Sequence, residues 1–246
     1  MSEIQSLARG LIILQLLADS STGITITDLA ESLGVDKATA SRLVSTLGGF
    51  GYAERDEETR RYFLGPQVVA LSRKALSRMP LRDTAKPFLT ELMQKTGECA
   101  HLAIHANGKA LYIDQVESPA TLRVNAQVGT MNPLHCTALG KVLLAYGAAG
   151  LPGSLESYTS RTITDYAKLA INLEEIRQNG YAVDDEEFDT GVRCIAVPVF
   201  DFRGKAIGAI GISGPSLRIS SDKLAELKDI VLAAGKQLTE RMVFVK

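Results

Sequence analysis

The sequence predicts a mixed α+β protein: a winged helix-turn-helix at the N-terminal end, a linker helix, and a larger domain with one antiparallel sheet flanked by helices. Three observations predict it. Thr25 to Tyr52 reads TITDLAESLGVDKATASRLVSTLGGFGY, two segments with apolar residues at helical spacing and a glycine between them. Two strand-like runs follow, YAER and RYFLG, around the charged tip DEETR. Beyond residue 80, strand-like runs with turn residues such as AsnGly at 107–108 are interleaved with helical ones.

The first helix is expected over Ile4 to Ala18, with Leu7, Leu11, Leu14 and Leu17 on one stripe and Ile12, Ile13 and Leu16 widening it. A stripe that wide exceeds what two later helices would cover, so part of it is expected to face a second copy of the chain. In the helix-turn-helix, Leu29, Ala30, Leu33, Val35, Ala40, Leu43, Val44 and Leu47 close a small core. Thr27 is the expected cap of its first helix, Gly34 the turn residue, and Asp36 the cap of its second. Pro66 starts a helix running to Met79, and Pro80 breaks it. The reading continues with a helix from Leu81 to Lys95 and strands Glu98 to His105, Lys109 to Glu117 and Thr121 to Val128. Helices Thr137 to Tyr146 and Asp165 to Gln178 come next, then strands Tyr181 to Asp184, Val192 to Phe200 and Ala206 to Ser213, and a closing helix from Ser220 to Met242. The expected domains are 1–65 (winged helix), 66–79 (linker helix) and 80–246.

Hydrophobic residues make up 46% of the 246 and the formal net charge is −1, a balance that suits a chain burying two cores. No apolar run approaches the roughly 20 residues that span a membrane, and MSEIQSLARG lacks a signal peptide's basic-then-apolar order, so a cytoplasmic location is expected. Cys99, Cys136 and Cys194 are odd in number and far apart, which suggests neither a disulfide framework nor a thiolate metal site. No metal and no cofactor is expected.

Once the apolar residues of the second helix turn inward, Lys37, Thr39, Ser41, Arg42, Ser45 and Thr46 face outward, hydrogen-bond donors suited to the acceptors of a major groove. Arg55, Arg60 and Arg61 on the wing are placed to grip phosphates beside it. Double-stranded operator DNA is the expected partner. Residues 1–65 carry six Lys or Arg against nine Asp or Glu, so contact depends on where the cations sit, and a modest affinity per protomer is expected. A dimer on a palindrome would double a weak half-site contact.

Three segments resemble the IclR family of bacterial transcriptional regulators: KATASRLVSTL (Lys37 to Leu47), PLHCTALGKVLLA (Pro133 to Ala145) and, most specifically, Asn179 to Pro215. The resemblance covers essentially the whole chain. It implies a winged helix, a linker helix and an effector-binding domain with a GAF-like sheet, assembled as dimers or dimers of dimers on operator DNA. The implied function is a ligand-responsive regulator, a repressor rather than an activator, controlled by a small organic acid. The family's pocket motifs fall on Asp184, Cys194 and Ser213, with Ala138, Leu139, Val124 and Asn132. Gly211 stands where family members that bind small keto acids carry a serine, and Asn132 where an apolar lid residue is usual. One hydroxyl fewer and a larger void imply a bulkier acid, aromatic ones included. Ser213 and the N–H groups opening the Thr137 helix would hold its carboxylate.

Structural readings stand beside these. Cys194 in CIAVPVF suits a core position, the DDEE run from Asp184 a solvated face, and Gly208, Gly211 and Gly214 close strand packing. The rival function is a small-molecule sensor or an enzyme using the C-terminal pocket without DNA binding. The sequence gives an enzyme little support and no catalytic residue: GISGP has Pro215 where a nucleophile elbow needs glycine, and the two histidines of HLAIH lie about 13 Å apart on a strand.

Overall fold

The computed structural model describes residues 4–124 and 126–243, and the chain divides into two compact units, Met1–Arg78 and Met79–Lys246. In the first, α1 (Gln5–Asp19), α2 (Ile26–Leu33) and α3 (Lys37–Gly49) precede a hairpin of β1 (Ala53–Arg55) and β2 (Tyr62–Leu64), and α4 (Pro66–Leu76) follows. Ile13, Leu17, Leu29, Ala40 and Val44 form its buried core. The cap of α2 is Thr25 rather than Thr27. Its hydroxyl accepts the Asp28 N–H at 3.2 Å while the Asp28 carboxylate receives the Thr25 N–H at 3.3 Å, a capping box that leaves Thr27 inside the helix. Gly34 closes α2 at φ +62°, and Asp36 caps α3 by accepting the Thr39 N–H at 2.8 Å.

The apolar stripe of α1 is split between two environments. Ile13 and Leu17 are buried, whereas Leu7 is 61% and Leu11 55% exposed. Helix α4 ends at Leu76, short of Met79, and buries no residue at all.

The second unit is a six-stranded antiparallel sheet in the order β5-β4-β3-β8-β7-β6, made of β3 (Cys99–Ala106), β4 (Lys109–Val116), β5 (Met131–Asn132), β6 (Ala182–Asp185), β7 (Val192–Phe200) and β8 (Ala206–Pro215). Helices α5 (Pro80–Thr96) and α8 (Ser221–Val243) pack on one face, and α6 (Ala138–Ala145) and α7 (Tyr166–Asn179) on the other. Every residue of α6 is buried, as its near-continuous apolar sequence requires.

The strand expected over Thr121 to Val128 is not present among the described residues. Residues 121–124 are bent or irregular, residue 125 lies outside the described residues, and 126–128 carry no regular structure. Leu122 and Val128 are both exposed, so the alternation in TLRVNAQV marks no buried sheet face. The edge position beside β4 is filled instead by β5, where Ala110 pairs with Asn132.

Candidate functional sites

On α3, Lys37, Arg42, Ser45 and Thr46 are exposed, and Thr39 and Ser41 half-buried. Two hydroxyls are engaged locally: Thr39 Oγ1 donates to the Asp36 carboxylate and Thr46 Oγ1 to the Arg42 carbonyl, each at 2.8 Å. Arg42 Nη2 reaches Thr39 Oγ1 at 3.3 Å, which turns the guanidinium toward the start of the helix. Helix α1 adds Ser6 and Arg9 to a groove shared with Thr39, Arg42, Leu43 and Thr46, so a second arginine stands by the one the sequence singled out.

The three wing arginines differ. Arg60 is exposed at the turn with φ +59°, and Arg55 lies over the Tyr62 ring at 5.7 Å. Arg61 is turned inward, its Nη1 donating to the Gly23 carbonyl at 2.8 Å. It ties the hairpin to the α1–α2 connection, which leaves only its remaining N–H groups for a phosphate.

In the second unit a cavity of about 110 Å³ is lined by Val124, Asn132, Asp184, Cys194 and Ser213 together with Tyr112, Ala126, Thr130, Thr137, Phe188, Asp189 and Val192. Ala138, Leu139 and Gly211 are not among its walls. Ala138 and Leu139 are buried in the apolar cluster between α6 and the sheet. At Gly211 a Cβ would collide with the Ile195 carbonyl oxygen and lie 2.9 Å from Ala196 Cα. The missing side chain therefore makes room for β7 and does not enlarge the cavity. Gly211 thus gives no support for the bulkier acid expected from it.

The acidic run beside the cavity is partnered residue by residue rather than solvated. Asp184 Oδ1 accepts the N–H groups of Glu187 at 2.8 Å and Phe188 at 3.4 Å, folding the β6–β7 loop so that Phe188 and Asp189 meet the cavity. Asp185 pairs with Arg161 and Arg193, and Glu186 accepts the Gly191 N–H. Glu187 forms a fully buried ion pair with Lys141 of α6. Burial holds the Glu187 carboxyl above its ordinary range even beside that ammonium, and pushes Asp184 up to about 7 although the loop N–H groups oppose it. Burial, reinforced by Asp184, raises the Cys194 thiol well above its usual range, so it is no thiolate nucleophile.

At the end of the cavity, Ser213 Oγ and His101 Nε2 are 2.6 Å apart, linking β8 to its neighbour β3. His101 is fully enclosed, with its ring edge-on to Tyr112 at 5.4 Å, and burial lowers its pKa to about 4. Its Nδ1 has no partner, so the carboxylate that orients a Ser-His-Asp triad is not found among the described residues. No group of three or more His, Cys, Asp or Glu among them could hold a metal, and no described helix is long and apolar enough to cross a membrane.

Residues 6–57 match the IclR helix-turn-helix domain, and residues 73–240 match the domain described as bacterial transcriptional regulator IclR C-terminal. The chain belongs to the IclR family of bacterial transcriptional regulators. It is 39% identical to the HTH-type transcriptional regulator BhcR of Paracoccus denitrificans over 96% of its own length and 86% of the relative's. It is 31% identical to the transcriptional repressor IclR of Escherichia coli over 96% of its length and 89% of that protein's. Among solved structures, an IclR transcriptional regulator from Alicyclobacillus acidocaldarius superposes with a TM-score of 0.84 at 28% identity, covering 98% of each chain.

For this IclR-family member, the sequence candidates did not include Arg9, Tyr112, His101, Lys141 or Glu187. Only Lys141 carries a local signal, a single cation inside the apolar run ALGKVLLA. The partner of His101 lies 112 residues further along the chain.

Proposed function

We propose that this IclR-family regulator represses transcription from a palindromic operator in the cytoplasm, as a dimer or dimer of dimers, and that a small organic acid in the 110 Å³ cavity controls it. In this reading the domains are 1–65, 66–79 and 80–246. The exposed donors of α3, Lys37, Arg42 and Ser45, with the half-buried Thr39 and Ser41 alongside, read the major groove, while Arg9, Arg55 and Arg60 meet phosphates. The uncovered Leu7 and Leu11 of α1, with the exposed Val69 of α4, supply an apolar surface for a second copy.

The observation that carries the effector assignment is the convergence of Ser213, Thr137 at the start of α6, and a buried Asp184 on one small cavity. Among the described residues, no Lys, Arg or His lines that space. The acid's carboxylate is therefore met by hydrogen-bond donors rather than by a counterion: Ser213 and Asp184 in its neutral form, both of which line the cavity.

Both halves are tested on the full chain. With its own upstream DNA, Arg42→Ala should cost roughly 1–3 kcal/mol, and Arg60→Ala should weaken all sequences about equally with a salt slope shallower by about one. Binding that survives Arg42→Ala with Lys37→Ala unchanged removes α3 as the reader. A thermal-shift panel of small organic acids should give a concentration-dependent stabiliser, whose binding Ser213→Ala weakens by about 1.5–3 kcal/mol.

A further inference from the structure

Ser213 is a poor acid-binding group if its hydroxyl proton points away from the ligand. A hydroxyl carries one proton and two lone pairs, so beside His101 it either donates to the imidazole or accepts from it. In the first arrangement the cavity would see a lone pair, which repels a carboxylate. In the second it would see the O–H.

The choice rests on which imidazole nitrogen carries the proton. His101 is neutral across the physiological range, since burial lowers its pKa to about 4, so only one nitrogen is protonated. Nδ1 is buried and has no partner among the described residues. A proton there would be an orphaned donor, the rarer and costlier kind of unsatisfied buried group, whereas a bare lone pair is more readily tolerated. The proton therefore belongs on Nε2, 2.6 Å from Ser213 Oγ. Among the described residues His101 is the only hydrogen-bond partner of that oxygen, and Ser213 itself lines the cavity.

We propose that His101 is a positioning residue of the effector site: its Nε2–H donates to Ser213 Oγ, which turns the serine proton into the cavity and selects a ligand that offers an acceptor oxygen there. A hydroxyl that accepts one hydrogen bond also donates a stronger one, so the pair acts as a polarised relay with no proton transferred. The inference rests on the effector reading given above for its ligand, but the tautomer can be read without any ligand.

The test uses the full chain with ¹⁵N-labelled histidine, His101 being identified by the signals lost in His101→Asn. Long-range ¹H–¹⁵N correlations at neutral pH should give the Nε2–H pattern for His101, and Ser213→Ala should alter its resonances. An Nδ1–H pattern, or a charged imidazolium, overturns the proposal. Calorimetry with acetate, lactate and pyruvate, each set against its primary amide, forms the second arm. His101→Phe should lose about tenfold or more of the affinity for whichever acid binds the parent, with a smaller loss for the amide. His101→Gln, whose side-chain amide can donate to the same oxygen, should recover most of it. Equal losses for acid and amide without rescue by glutamine would reduce His101 to packing. If the parent binds none of the acids, the carboxylate assignment fails on its own, and the tautomer alone decides the positioning role.

Discussion

In the N-terminal unit the candidate contact residues Lys37, Arg42, Ser45 and Arg60 stand in solvent on a helix and hairpin whose fold is fixed by Asp36, Thr25 and a few apolar residues beneath them. In the C-terminal unit Ser213, His101, Asp184 and Lys141 are each no more than 4% exposed and are fixed by other polar groups, through hydrogen bonds or an ion pair. The difference is one of coupling. An exposed side chain can be removed with its partners left in water, so function is lost and stability kept. A buried one leaves an unpaired group behind, so the site and the fold fail together.

The largest effect that could break this contrast belongs to Lys141. Lys141→Met leaves Glu187 buried and uncompensated and should cost roughly 3–5 kcal/mol in denaturant unfolding, much of it regained when Glu187→Leu is added. The exposed Arg177–Glu174 pair should be worth under about 1 kcal/mol in a double-mutant cycle. Equal values for the two pairs would erase the distinction.

Next comes Gly211. Gly211→Ser should cost about 1–3 kcal/mol or more by forcing β7 and β8 apart, with no sharpening of preference among small acids. A stable variant with altered ligand preference would return Gly211 to the pocket.

A further effect, set apart by its sign with pH, separates two buried titrating groups. Asp184 moves from 3.8 up to about 7 on folding, so the folded chain holds the extra proton and this group's contribution to stability falls as pH rises from 3.8 to 7. Asp184→Asn keeps an acceptor for the loop N–H groups without titrating, and should gain on the parent across that window. His101 moves from 6.5 down to about 4, so the unfolded chain holds the extra proton and stability from this group rises between pH 4 and 6.5. Unfolding midpoints against pH for the parent, Asp184→Asn and His101→Gln should therefore diverge in opposite senses. Parallel curves would mean that neither group is dry.

The smallest effect is in the other unit. Gly10 sits mid-helix with nothing within 4 Å of where a Cβ would stand, so Gly10→Ala should stabilise by about 0.5–1 kcal/mol. A loss instead would indicate that a second copy approaches the α1 backbone there.

The same contrast explains what could be read in the sequence. Helix periods, the Gly34 turn, the Asp36 cap and five of the six strands of the main sheet are local patterns, and they were legible within a residue or two, except that α4 ends three residues early, β5 was not foreseen, and Thr27 offers the same hydroxyl as the true cap Thr25 two positions on. The strand from Thr121 failed because alternation reports side-chain chemistry and cannot say whether a neighbouring edge is already occupied. At the cavity, Asp184, Cys194 and Ser213 were reachable through family resemblance, whereas His101 and Glu187 act only through partners 112 and 46 residues away. Gly211 was misread because the absence of a side chain looks the same whether it admits a ligand or a neighbouring strand.

Helix α4 has eleven residues and buries none of them. Helices shorter than about 12–15 residues are marginal in water without packing partners, since nucleation is costly and each added residue returns little. If the proposed second copy covers Val69 and Leu71, helical order over Pro66–Leu76 should rise with protomer concentration. On dilution this segment would melt while the three-helix core beneath the wing stayed folded, and far-ultraviolet ellipticity would depend on how much protein is in the tube.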